Sequence, residues 1–184
     1  MNSKLPGAPT SIFAVMSALA KEHNAINLSQ GFPDFDLSPE LIELMDQNMR
    51  AGNNQYAPMT GVQQLRERIS EKILSDYGRF YDPNTEINIT AGATQALFTS
   101  FNSFVFPGDE VIVIEPAYDS YIPSIILNGG VPVPIPLDNN FRYDWDRIKS
   151  AVSAKTKMIV LNSPHNPLGT AFHEEDIASL TEIT

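Results

Sequence analysis

Hydrophobic positions along the chain change their spacing, from a helical period in the first part to strand-like runs in the second. Helical spacing predicts helices from Ile12, with Thr10 or Ser11 as N-cap, and over 61–77. Ser38 as N-cap and Pro39 at the first helical position predict a short helix to about Arg50. Farther along, the pattern predicts strands at 86–90, 111–114, 131–137 and 157–161, and helices at 94–106, 118–127, 144–152 and from 174 onward.

The alternation of strands and helices in the second part defines the fold class. Val111–Ile114 is a continuous β-branched run, which is typical of a strand buried on both faces, and 157–161 has a similar character. Three prolines mark 131–137 as an edge strand. The sequence therefore predicts an α/β fold with a mostly parallel sheet flanked by helices.

Composition and charge exclude several classes of function. Hydrophobic residues make up 42% of the 184 residues and charged residues 18%, as in globular proteins. The net charge of −10 and the scattered lysines and arginines disfavour nucleic acid and anionic membranes as partners. The absence of cysteine excludes disulfides, thiolate metal sites and cysteine nucleophiles.

The early apolar stretch at 12–20 is too short to span a bilayer. A signal peptide is disfavoured because Pro6, Gly7 and Pro9 interrupt the approach to it. A cytoplasmic location is therefore expected.

Candidate chemistry lies just beyond the predicted strand ends, where ligands bind in open α/β sheets. Small residues at 91–93 and Thr94 open a helix and favour an anion, although a plain N-capped helix is the simpler interpretation of this segment alone. Tyr118 could stack on a planar ring, or be an ordinary rim aromatic. Asn166 offers an amide donor, while His165 is more typical of a structural histidine; no metal-ligand spacing is present.

Taken together, the order and spacing of these segments resemble the class I and II aminotransferases, which are pyridoxal-phosphate (PLP) dependent enzymes of fold type I. The segment 162–169 is similar to that family's Asn-Pro-x-Gly segment, and Tyr56 within 54–61 matches another. Residues 27–35 resemble the opening of the branch that contains methionine, kynurenine and glutamine–phenylpyruvate aminotransferases. The resemblance runs from about residue 5 to the end and corresponds to the N-terminal portion of such enzymes.

The resemblance implies specific roles at the cofactor. Ala93 and Thr94 would bind the PLP phosphate through backbone amides and the Thr94 hydroxyl. Tyr118 would stack on the pyridine ring, and Asn166 would donate a hydrogen bond to its phenolic oxygen. The resembled family often has cis bonds at these strand ends, so we expect at least one of the Glu115–Pro116 and Asn166–Pro167 bonds to be cis.

The resemblance also implies a homodimer, in which Tyr56 reaches the cofactor phosphate of the partner subunit. Gly31 would lie beside the substrate, where a side chain would obstruct the carboxylate. Residues 1–50 would form an N-terminal arm and part of a small domain, and 51–184 the first part of the large PLP-binding domain.

One departure from the family pattern concerns catalysis. The family's Schiff-base lysine, the aspartate at the pyridine nitrogen and two arginines correspond to positions beyond Thr184, so no catalytic residue is assigned here. We expect the intact protein to transaminate methionine, an aromatic or a glutamine-like amino acid with a 2-oxo acid, and the 184-residue chain alone to be inactive and to bind PLP weakly. A PLP-dependent C–S β-lyase, a ligand-sensing aminotransferase-like domain and a non-catalytic fragment remain open alternatives.

Overall fold

The computed structural model describes residues 3–5, 10–31 and 33–184, and the chain forms two compact units. The helical unit comprises residues 10–91, and the sheet unit comprises residues 92–184 together with the described residues 3–5. The domain boundary expected at residue 50 stays a prediction.

The helical unit contains three helices, α1 (Ile12–Glu22), α2 (Pro39–Arg50) and α3 (Gln63–Tyr77). All three were predicted from the sequence. Ser11 caps α1, because its hydroxyl accepts a hydrogen bond from the backbone amide of Phe13. Gly78 ends α3 in the left-handed conformation, as expected for a glycine after the last helical turn.

The predicted strand at 86–90 is wrong. Residues 87–90 have no regular secondary structure and join no sheet in the described chain, although the amide of Ile89 donates to the carbonyl of Thr60 at 3.0 Å. Alternating apolar residues favour a strand-like segment, but a ladder also needs a neighbouring strand, and the described residues supply none.

The sheet unit alternates helices and strands along the chain. Its elements are α4 (Ala93–Phe104), β1 (Glu110–Glu115), α5 (Tyr121–Leu127), β2 (Val131–Pro136), α6 (Trp145–Ala151), β3 (Thr156–Val160) and α7 (Glu174–Ile183). The three strands form a parallel sheet in the order β2-β1-β3. This arrangement confirms the predicted fold class.

The central strand β1 divides the core into two layers. Val111 and Val113 pack with Phe101, Val105 and Ile125 on one face, where α4 and α5 lie. On the other face, Ile112 and Ile114 pack in a second cluster with three further buried residues, Ile135, Tyr143 and Ile148. Successive strand residues point to opposite faces, so an apolar run fills both layers.

The two outer strands differ in how well the sequence predicted them. β2 lies at an edge of the sheet, as its prolines predicted. β3 was expected to be buried, yet it forms the other edge and its residues are only partly buried or exposed. An apolar run indicates apolar surroundings on the two faces of a strand, but it does not indicate how many strands lie beside it.

Candidate functional site

The neighbouring strands β1 and β3 send their following helices to opposite faces of the sheet. Helix α5 packs through Ile125 on the face of Val113, whereas Ile183 of α7 packs on the face of Ile112. In open parallel sheets such a divergence marks the usual ligand position, beyond the carboxyl ends of the two strands, and we call this position the crevice. The segments that follow β1 and β3 carry Tyr118 and Asn166, so both residues come directly after the strand ends that border this position.

A second cleft lies at the same pole of the sheet, at the carboxyl ends of β1 and β2. It measures about 460 Å³, and its lining includes Glu115 and Asp138. Two carboxylates disfavour an anionic ligand there. A phosphate-bearing ligand is therefore better accommodated on the β3 side of β1.

Tyr118 lies in the segment between β1 and α5 and is half-buried. Its ring makes an edge-to-face contact with Tyr121, with centroids 5.7 Å apart and planes at 68°. Burial and the neighbouring Tyr118 raise the pKa of the Tyr121 hydroxyl, so Tyr121 is neutral at physiological pH. The Glu115–Pro116 bond is cis, which confirms the expectation.

Helix α4 precedes β1 along the chain and packs on the face of Val111 and Val113. Leu97 of this helix packs in the same cluster as Ala117 and Tyr121, which follow β1. Gly92 is the N-cap with φ +89°, a conformation that residues with a side chain rarely adopt. Ala93 and Thr94 are exposed at the start of the helix, where backbone amides point outward and favour an anion.

The segment after β3 folds back on itself and presents Asn166 at its surface. The backbone amide of Asn166 donates to Oδ1 of Asn162 at 2.7 Å. The amide of His165 donates to the carbonyl of Thr170 at 2.7 Å, and its carbonyl accepts from the amide of Gly169 at 2.6 Å. Asn166–Pro167 is cis as expected, and Ser163–Pro164 is also cis, which was not predicted.

His165 has a structural environment, as expected. It is 4% exposed, and its ring makes an edge contact with Tyr143 at 6.3 Å. Burial lowers the pKa of His165, so the imidazole is neutral near physiological pH. Its Nδ1 is buried and has no hydrogen-bond partner in the described chain.

Sequence reasoning missed a buried group beneath this segment. The hydroxyl of Tyr143 donates to the carbonyl of Asn162 at 2.8 Å. Asp176, also buried, accepts from the indole of Trp145 at 2.8 Å and from Arg142 Nη2 at 2.6 Å. The cluster Arg142-Tyr143-Asp144-Trp145 in the sequence was the available signal, since aromatic and charged residues together before a short helix need polar partners when buried.

The helical unit carries the two remaining predicted site residues. Tyr56 lies on a loop and its side chain is fully exposed. Arg66 supports the chain just after that loop, because its guanidinium donates to the carbonyls of Gly61 and Pro83. Gly31 is exposed, and a Cβ built on it would meet no atom within 4 Å. Packing in the described chain therefore does not require glycine at that position.

The residues at the crevice fit PLP by their chemistry. The aromatic ring of Tyr118 suits a planar heterocycle, and the exposed amide of Asn166 suits its phenolic oxygen. The start of α4, with the hydroxyl of Thr94, suits its phosphate. Within residues 92–184, Lys155 and Lys157 lie at the amino end of β3, away from the crevice. Lys149 is exposed and pairs with Glu182 at 3.4 Å. No lysine between residues 92 and 184 is therefore placed at the crevice.

The described residues hold no group of three or more His, Cys, Asp or Glu that could bind a metal ion. None of their helices is long and apolar enough to cross a membrane.

Comparison with known proteins gives a consistent family. Residues 23–184 match the family described as aminotransferase class I and II. The chain is 49% identical to the methionine aminotransferase of Escherichia coli over 179 residues, covering 97% of this chain and 46% of that protein. It is 40% identical to a probable N-succinyldiaminopimelate aminotransferase of Mycobacterium tuberculosis, covering 98% of this chain and 46% of that protein.

The fold agrees with the sequence matches. A crystal structure of the Escherichia coli protein YbdL, described as identifying a methionine aminotransferase function, superimposes with a TM-score of 0.95 at 47% identity, covering 100% of this chain and 48% of that one. The chain spans about half the length of the curated relatives it matches. Since the family match extends over most of the chain, the protein belongs to the class I and II aminotransferases.

Proposed function

We propose that the protein binds PLP at the crevice between β1 and β3, and that in the intact enzyme this site transaminates an amino acid with a 2-oxo acid. The observation that carries the proposal is the divergence of α5 and α7 from neighbouring parallel strands, because ligands of open parallel sheets bind beyond such strand ends and the segments after them carry Tyr118 and Asn166. Membership in a PLP-dependent family supports the choice of cofactor.

The residues of this chain hold and orient the cofactor. Ala93 and Thr94 bind its phosphate through backbone amides and the Thr94 hydroxyl, which the exposed first turn of α4 supports. Tyr118 stacks on the pyridine ring, with Tyr121 against its edge. Asn166 donates a hydrogen bond to the phenolic oxygen and favours its ionised form. PLP, when bound, supplies the electron sink and the carrier of the amino group.

The substrate class follows from the branch of the family. We propose methionine, an aromatic or a glutamine-like amino acid as amino donor, because the 49% identical relative is a methionine aminotransferase. Gly31 lies beside the substrate carboxylate in this proposal. The open space around a Cβ at Gly31 supports a requirement for glycine that comes from a ligand rather than from packing.

We also propose a homodimer and a cytoplasmic location. Tyr56 reaches the cofactor phosphate of the partner subunit, and its full exposure on a loop supports this role. A tyrosine ring offers a large apolar surface and a hydroxyl donor, and both are commonly buried at interfaces. The scattered charges and the net charge of −10 support a protein without membrane or nucleic-acid partners.

The catalytic lysine is not assigned to any lysine of this chain. The test is to incubate the 184-residue protein with PLP, reduce with borohydride and map the labelled peptide. In parallel, the same is done with a longer protein that continues the chain. We expect methionine-dependent formation of a new amino acid from a 2-oxo acid only with the longer protein. Stoichiometric labelling of one lysine in residues 1–184, together with turnover, would contradict the assignment, and pyruvate with ammonia as products would indicate a β-lyase instead.

A further inference from the structure

A chain of two hydrogen bonds connects the buried core of the sheet unit to Asn166. The hydroxyl of Tyr143 donates to the carbonyl of Asn162 at 2.8 Å. The side-chain oxygen of the same Asn162 accepts from the backbone amide of Asn166 at 2.7 Å. Asn162 therefore links a core tyrosine to the exposed Asn166, and both of its oxygens take part.

The starting point of this chain is rigidly held. Tyr143 is 6% exposed, and it packs in the cluster of Ile112 and Ile114 beneath the sheet. Its ring lies 4.8 Å from the ring of Phe172 and stacks on Trp145 at 5.7 Å with an angle of 26° between planes. Rings packed on several sides hold one rotamer, so the hydroxyl keeps a fixed position.

The end point of the chain needs such support. Asn166 is exposed and lies in a segment without regular secondary structure. A hydrogen bond from a site residue acts on its ligand only when that residue's own backbone is held, because a small displacement lengthens and misaligns the bond. The bond to Asn162 fixes the backbone amide of Asn166, and thereby the direction in which its side chain leaves the segment.

We propose that Tyr143 and Asn162 are positioning residues that aim the Asn166 amide at the crevice. Neither touches the cofactor; both act through Asn166. The inference rests on the proposed function for its consequence in PLP binding, but the backbone part of it is testable without PLP.

The first experiment measures hydrogen exchange at the Asn166 backbone amide by NMR in the 184-residue protein without PLP. Tyr143→Phe removes only the hydroxyl, and Asn162→Ala removes the acceptor. We expect exchange at Asn166 to accelerate by at least about three-fold in both, in line with the loss of one net hydrogen bond. Tyr77→Phe, an exposed tyrosine in the helical unit, and Asn102→Ala, which breaks an exposed bond to Asn128, are matched controls that leave Asn166 unchanged. Unchanged exchange in Tyr143→Phe would overturn the positioning role of Tyr143.

The second experiment is a double-mutant cycle on PLP affinity. PLP binding is measured by the quenching of the fluorescence of Trp145, the single tryptophan. We expect Tyr143→Phe to weaken PLP binding by roughly three- to ten-fold in the wild-type background and to have no effect in an Asn166→Ala background. Equal losses in both backgrounds would mean that Tyr143 acts on overall stability and would overturn the inference. An Asn166→Ala protein that binds PLP as tightly as wild type would overturn the proposed cofactor site as well, and with it the purpose of the positioning.

Discussion

Asp176 is the residue whose replacement should most disturb the layer beneath the candidate site. Its side chain is 6% exposed and receives three hydrogen bonds, from Arg142 Nη2 at 2.6 Å, from the amide of His173 at 2.7 Å and from the indole of Trp145 at 2.8 Å. These donors lie before α6, within α6 and before α7. One carboxylate therefore ties the two helices of this face together.

The expected cost of Asp176→Asn follows from this geometry. The shape is retained, but the negative charge is lost and an NH₂ group faces one of three donors. Removing one partner of a buried ion pair costs about 3–5 kcal/mol. The side chain of Arg142 is 33% exposed and regains some hydration, so the expected cost falls below that range, to about 2–3 kcal/mol.

Urea unfolding monitored by the fluorescence of Trp145 measures this cost directly, since the indole donates a hydrogen bond to Asp176. Glu182→Gln is the matched control, because it breaks an exposed pair between the same two helices, Lys149 with Glu182, whose side chains are 61% and 72% exposed. We expect the control to change the free energy of unfolding by less than about 0.5 kcal/mol. A loss below about 1 kcal/mol for Asp176→Asn, or a loss equal to that of the control, would refute this reasoning.

Further predictions concern the pH dependence of stability, the free energy of unfolding of two variants, and PLP affinity. Burial favours protonation of Asp176, but its hydrogen bonds and Arg142 outweigh this effect and lower its pKa. The stability that Asp176 contributes above its unfolded pKa should therefore be lost as the pH falls through its folded pKa. An acid titration of the Asp176→Asn variant should lack that loss of stability. Gly92→Ala, at φ +89°, should cost about 1–3 kcal/mol in urea unfolding. Arg66→Leu should cost about 2–3 kcal/mol, since it leaves the carbonyls of Gly61 and Pro83 without their donor. Tyr118→Leu should weaken PLP binding by roughly two- to ten-fold while Tyr118→Phe does not, and equal affinities would exclude ring stacking.

Local patterns predicted the helices and the central strand well. Ser11 and Gly78 mark helix ends through their own backbone and side-chain chemistry, which depends on nothing distant in the chain. The β-branched run of β1 predicted a strand with both faces covered, and the structure confirms it. These features are encoded by neighbours along the sequence.

Sheet neighbours could not be predicted in the same way. Residues 86–90 alternate like a strand, yet they join no sheet in the described chain, and β3 resembles a central strand but lies at an edge. Pairing depends on segments far apart in sequence, so a single apolar run carries little information about it.

The candidate site likewise contains residues that the sequence predicts and residues that only the packed structure reveals. Tyr118 and Asn166 could be singled out because they follow strand ends, where topology places ligands. Tyr143 and Asp176 could not, because their importance comes from hydrogen bonds to Asn162, Arg142 and Trp145 that only the packed structure brings together.

The most direct test of the central claim is a titration of the isotopically labelled protein with PLP, in which NMR records the backbone amide resonances. If PLP binds at the crevice, the amides of Ala93, Thr94 and Asn166 should shift together along one binding curve, including when binding is weak, while those of Lys155 and Lys157 at the other pole stay unchanged. Shifts confined to other residues, or no saturable shift at these three amides, would contradict the account.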